Sequence, residues 1–153
     1  MRRAALALFS IAALVGITDL AGTAQAAEFR SVQDNAAILY DAPSTQATKR
    51  FVVGVGHPLE VLVKLDRWIK VRDNNSDVSW IEAKSLSAKR TLIVALANAE
   101  IRDKASTDGA VVFRADKGLL LELVEGPAVD GWAKVRHRDG QSGYISNKQV
   151  WGL

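Results

Sequence analysis

Apolar, β-branched and aromatic residues recur in a series of short runs, each closed by turn-forming residues, and two of the runs alternate with a period of two. In the first half these runs are Phe29 to Val32, Ala36 to Tyr40, Phe51 to Val53, Leu59 to Lys64, Trp68 to Arg72 and Val78 to Ile81. A period of two is the mark of a strand with one buried face. It puts Leu59, Val61 and Val63 on one side of their strand. It puts Ile69 and Val71 on one side of the next, with Trp68, Lys70 and Arg72 on the other. Asp41-Ala42-Pro43-Ser44 and Asp73-Asn74-Asn75-Ser76-Asp77 are turns, and Gly54 and Gly56 mark a tight bend before His57-Pro58. Glu82 to Leu86 is expected to form one short helical turn. No sustained helical period appears outside the first residues, so the fold class is all-β: short strands packed as small barrels or sandwiches.

The pattern then repeats. Trp68-Ile69-Lys70-Val71-Arg72 returns as Trp132-Ala133-Lys134-Val135-Arg136, and Trp80-Ile81 returns as Tyr144-Ile145. Upstream, Phe51, Gly56, Leu59 and Glu60 align with Phe113, Gly118, Leu121 and Glu122, while Asp41, Ser44 and Thr45 align with Asp103, Ser106 and Thr107. The two offsets differ by a small insertion, placed near Gly126-Pro127. Two copies of one unit fill the chain after its first residues, and repetition of this kind decides the architecture. The expected domains are 27–88 and 89–153, joined through the short stretch Ser87-Ala88-Lys89-Arg90. Ala95 to Ile101 has a helical look, but its counterpart Gln33 to Leu39 argues for strand. His137-Arg138-Asp139-Gly140 carries a hairpin signal.

Residues 1–26 read as an export signal. Met1-Arg2-Arg3 is positive, Ala4 to Ile17 is apolar, and Ala24-Gln25-Ala26 offers small residues at a cleavage site. Asp19 ends the apolar run short of the roughly 20 residues a membrane-spanning helix needs. The expectation is cleavage after Ala26 and a periplasmic or secreted product, with no membrane insertion after cleavage.

Charge and composition narrow the chemistry. The formal net charge of +3 includes Arg2, Arg3 and Asp19; without them 18 basic residues face 16 acidic ones. That balance lacks the concentrated basic face of a nucleic-acid protein. There is no cysteine, which excludes disulfides and thiolate chemistry. The two histidines, His57 and His137, lie in turns at non-equivalent places of the repeat. No Gly-x-Ser-x-Gly elbow and no His-Glu-x-x-His is present. The chain reads as a non-enzyme, with no catalytic residue, no metal site and no cofactor.

The order of these motifs resembles the bacterial SH3-like (SH3b) domain. The residues that carry the resemblance are the Leu39-Tyr40-Asp41-Ala42-Pro43-Ser44 turn, a glycine before Leu59-Glu60-Val61, the Trp-x-Lys-Val-Arg strand, a polar hairpin and the Trp80-Ile81 step. The resemblance covers both units and implies two tandem SH3-like β-barrels, as in exported, uncharacterised proteobacterial proteins built this way. It departs from the family pattern at Tyr40 and Ala42, at Lys104-Ala105, and at Ser79, where copy two keeps Gly143. The expected ligand-binding residues are Trp68, Lys70, Tyr40 and Trp80 in copy one, and Trp132, Lys134, Tyr144 and Arg102 in copy two. A tryptophan flanked by cations can stack on a sugar ring or a peptide plane, or take its own lysine as a cation–π partner. It can equally cap a small core. Copy two, with Ala133 in place of Ile69, is expected to hold the better-formed groove. The implied function is a non-catalytic binding module recognising peptidoglycan peptide or a protein segment. The alternative is a structural or accessory subunit docking a periplasmic partner protein.

Overall fold

The computed structural model describes residues 26–125 and 130–153. The expected export signal, up to Gln25, and the insertion expected near Gly126-Pro127 lie outside the described residues. The rest is all-β: fourteen strands and two 3-10 turns, with no α-helix among the described residues.

The strands form two antiparallel seven-stranded sheets with the same internal order. The first comprises β1 (Glu28–Val32), β2 (Ala36–Tyr40), β3 (Lys49–Gly54), β4 (Pro58–Lys64), β5 (Trp68–Arg72), β6 (Val78–Glu82) and β7 (Leu86–Ser87). Its order is β3-β2-β6-β5-β4-β1-β7. The second comprises β8 (Thr91–Val94), β9 (Ala99–Arg102), β10 (Val111–Ala115), β11 (Leu120–Leu123), β12 (Trp132–Arg136), β13 (Ser142–Ser146) and β14 (Val150–Trp151). Its order is β10-β9-β13-β12-β11-β8-β14, the same path seven strands later. The pairing of each sheet ends at an edge strand on either side. The expected barrel is therefore an open sheet curled round one core.

Alternation builds those cores. Val32, Ala37, Leu39, Leu59, Ile69, Val71, Ile81 and Leu86, from six of the seven strands, form the first cluster. Leu92, Val94, Ala99, Ile101, Leu121, Val135 and Ile145 lead the second. The short helical turn expected after Glu82 is the 3-10 turn Ala83–Ser85, and Asn147–Gln149 repeats it. One alternation fails. A bulge between Val61 and Val63 sets Val63 opposite Lys70, so Val63 turns to solvent at 44% exposure and leaves the face of Leu59. An extra residue in one strand reverses the facing of everything beyond it.

The two units touch through β1 and β8. Thr91 Oγ1 lies 2.6 Å from Ser31 Oγ, both residues being buried, and donates to the Gly56 carbonyl at 2.5 Å. Phe29 meets Trp151 edge to face at 4.9 Å, and Arg90 sits over the Phe29 ring while donating to the Gly152 carbonyl at 2.6 Å. Burial there pushes the Arg90 guanidinium below its ordinary value. All four residues of β8 are buried: Leu92 and Val94 face their own core, and Thr91 is covered by Ser31 and Gly56 of the first unit.

Candidate ligand-binding faces

Strand β5 buries Ile69 and Val71 and leaves Trp68, Lys70 and Arg72 half-buried on the outer face, as the period of two requires. In β6, Ser79 and Ile81 point inward and Trp80 and Glu82 outward. Antiparallel register then assembles one face: Lys70 is opposite Trp80, Trp80 opposite Tyr40, and Trp68 opposite Glu82. Lys70 Nζ lies 5.8 Å from the Trp80 ring centre. Tyr40, only 5% exposed, meets Trp68 edge to face at 5.4 Å and 88°. All four residues expected in copy one are thus brought together. Both tryptophans are half-buried on the outer face, and neither is among the residues of the first core cluster.

Beside Trp68 opens a cleft of about 190 Å³, lined by Pro43, Ser44, Thr45, Arg67 and Glu82. The loop that forms its wall is held by its own turn chemistry. Asp41 Oδ1 accepts from the Thr48 amide at 3.0 Å, Ser44 Oγ accepts from the Gln46 amide at 3.1 Å, and the Asp41 amide donates to the Thr48 carbonyl. A second hollow, of about 120 Å³, lies beyond Glu82 and is lined in part by Tyr40 and Lys84. Glu82 pairs with Lys84 at 2.9 Å. The hydrogen bond and charge of Glu82 hold the Lys84 ammonium above its ordinary value. Arg67 and Glu82 were not singled out from the sequence. Carrying the alternation of β6 two residues past Trp80 puts Glu82 on the same face, which was the available signal.

Copy two repeats the register with different chemistry. Lys134 is opposite Tyr144, and Tyr144 opposite Arg102, so Arg102 stands where copy one has Tyr40. Lys134 Nζ is 5.9 Å from the Tyr144 ring centre and 2.5 Å from Glu125. That hydrogen bond, with the Glu125 charge, raises the Lys134 ammonium above its ordinary value. Arg102 donates to the Gly109 carbonyl at 2.5 Å and pairs with Glu100, which also takes Arg114 at 2.9 Å. Trp132 is half-buried at the start of β12, opposite Ser146. Lys134 and Arg102, the cations of this face, are engaged by local carboxylates. In copy one, Lys70 faces only the Trp80 ring among the described interactions.

The histidines do not meet. His57 is partly buried in the bend before β4, with Nε2 lacking a hydrogen-bond partner, and His137 pairs with Asp139 at 2.9 Å in the β12–β13 turn. Among the described residues no group of three His, Asp or Glu is placed to hold a metal ion, and no helix is long and apolar enough to cross a membrane.

Comparison with known proteins gives one consistent result. A family model described as the bacterial SH3 domain matches residues 35–87, and a second with the same description matches residues 95–152. Among solved structures, NlpC1 from Trichomonas vaginalis is similar at 17% identity over 86% of this chain and 48% of its own, with a TM-score of 0.39. NlpC2 from the same organism is 16% identical over 84% and 49%, TM-score 0.38. An NlpC/P60 family protein from Bacillus cereus is 12% identical over 82% and 56%, TM-score 0.36. The chain spans about half the length of these structures. No curated protein sequence matches it. With a match in each half, the chain belongs to the bacterial SH3 domain family as a tandem of two such domains.

Proposed function

We propose that this protein is an exported, non-catalytic binding module. In this reading cleavage after Ala26 releases two small SH3-like domains, 27–88 and 89–153. The first takes an extended cell-wall peptide in the cleft beside Trp68. The observation that carries it is the pairing of a half-buried Trp68, braced edge-on by buried Tyr40, with an open cleft walled by Pro43 to Thr45. A braced aromatic offers a flat surface at little entropic cost, which is why such residues dominate binding hot spots. Arg67 and Glu82 on the same cleft give it one charge of each sign, a match for a peptide that carries both carboxylates and amines. Copy one is favoured over copy two because Arg102, in the place of Tyr40, is held by Gly109 and Glu100 and braces no ring among the described contacts. The test is sedimentation of the purified protein with isolated cell-wall sacculi, with a wall digest as competitor. Co-sedimentation that the digest releases supports the reading. Protein left in the supernatant at every wall concentration refutes it.

A further inference from the structure

A larger cleft lies where the two units meet. It measures about 630 Å³ and is bounded by Val55 and Gly56 from the β3–β4 bend of the first unit and by Leu119 to Leu121 of the second. That size falls within the range of ligand sites, and neither unit alone would form it. Its floor is apolar: Val55 is 55% exposed, and Leu120 comes within 3.6 Å of a Cβ built at Gly56. Its rim is cationic. Lys89, Arg136 and Arg138 border it, against the single carboxylate of Glu122. Glu122 bonds to Lys89 and Arg136, each at 3.3 Å, and Arg138 makes no ion pair among the described residues. One carboxylate against three cations leaves a net positive rim over an apolar floor.

We propose that this cleft is a second docking site, specific to the tandem arrangement, for an extended acidic peptide segment of a partner protein that carries apolar side chains between its carboxylates. The apolar side chains cover Val55 and Leu120, and the carboxylates meet Arg138 and the Lys89–Arg136 pair. Gly56 and Gly118, both at positive φ, line the cleft without a side chain and let a peptide backbone approach. The site is separate from the Trp68 face and does not rest on that reading.

The test is an NMR titration of the isotope-labelled protein with a short synthetic peptide alternating glutamate and leucine. A counterpart alternating lysine and leucine is the control. The acidic peptide should give saturable shifts centred on Val55, Leu120 and Arg138. Arg138→Glu should weaken it by about tenfold or more, as like charges at a contact do. Val55→Asp, on the other unit and exposed, should weaken it as well, and Trp68→Ala should leave it unchanged. The proposal is overturned if no saturable shift appears, if the lysine peptide binds as well, if the shifts centre on Trp68, or if either cleft variant binds like the parent protein.

Discussion

At the scale of single residues, the two copies solve one close approach differently. A Cβ built at Gly143 would lie 2.6 Å from the Arg102 carbonyl oxygen and 2.7 Å from Ile101, where β13 crosses β9. Gly143→Ala should therefore destabilise the protein by about 1–3 kcal/mol, as overpacked sites do. The equivalent Ser79 already carries a Cβ, is 2% exposed, and its Oγ has no hydrogen-bond partner. Ser79→Ala removes that unmet hydroxyl and should be neutral or stabilising by about 1 kcal/mol; denaturant melts measure both. The difference between the copies was legible in the sequence, but its cause was not, because it lies in a carbonyl from another strand. His57 gives a pH dependence. Burial lowers its pKa from the ordinary 6.5, against the opposing charge of Asp73. The unfolded chain then takes up the proton first. Stability is complete above 6.5 and is lost as pH falls from there through the depressed folded value. His57→Gln should flatten the fall in melting temperature over that window; an unchanged slope would assign it to other groups.

At the scale of elements, period two was a reliable guide wherever a strand had one buried face. The outward set Trp68, Lys70 and Arg72, and its repeat in β12, stand where alternation put them. It was silent where a strand is too short to show a period, as in the two-residue β7 and β14 that complete the sheet edges. It misplaced Val63, because nothing in Val61-Leu62-Val63 announces a bulge. Burial also varies between strands. Strand β8 is buried throughout, while β3 is an edge with Phe51 at 40% and Val52 at 69% exposure. Leu92→Ala should cost about 2–5 kcal/mol, as other buried leucine truncations do. Val52→Ala should stay within about 0.5 kcal/mol. Chemical denaturation of the two variants checks the contrast, and equal losses would contradict the assignment of Leu92 to the core and of Val52 to an exposed edge.

At the scale of the whole molecule, a domain near 60 residues buries only about 60% of its unfolded surface and is marginal alone. The contact through Ser31, Thr91, Phe29 and Trp151 adds burial that neither unit has by itself. The intact protein should melt in one transition. Trp151→Ala, which removes the edge-to-face contact, should lower that midpoint for probes in both units; two independent transitions in the parent protein would deny the coupling. The tandem organisation was plain in the repeated Trp-x-Lys-Val-Arg strand. The contact between units was not, since Phe29 and Trp151 lie far apart in the sequence. The different surroundings of Tyr40 and Arg102, on which the proposed preference for copy one rests, were equally hidden. The most direct measurement is therefore sacculus binding by the parent protein, Trp68→Ala and Trp132→Ala, each checked by circular dichroism. The account predicts that Trp68→Ala stays folded and loses most of its binding, while Trp132→Ala keeps it. A folded Trp68→Ala that binds like the parent would contradict it.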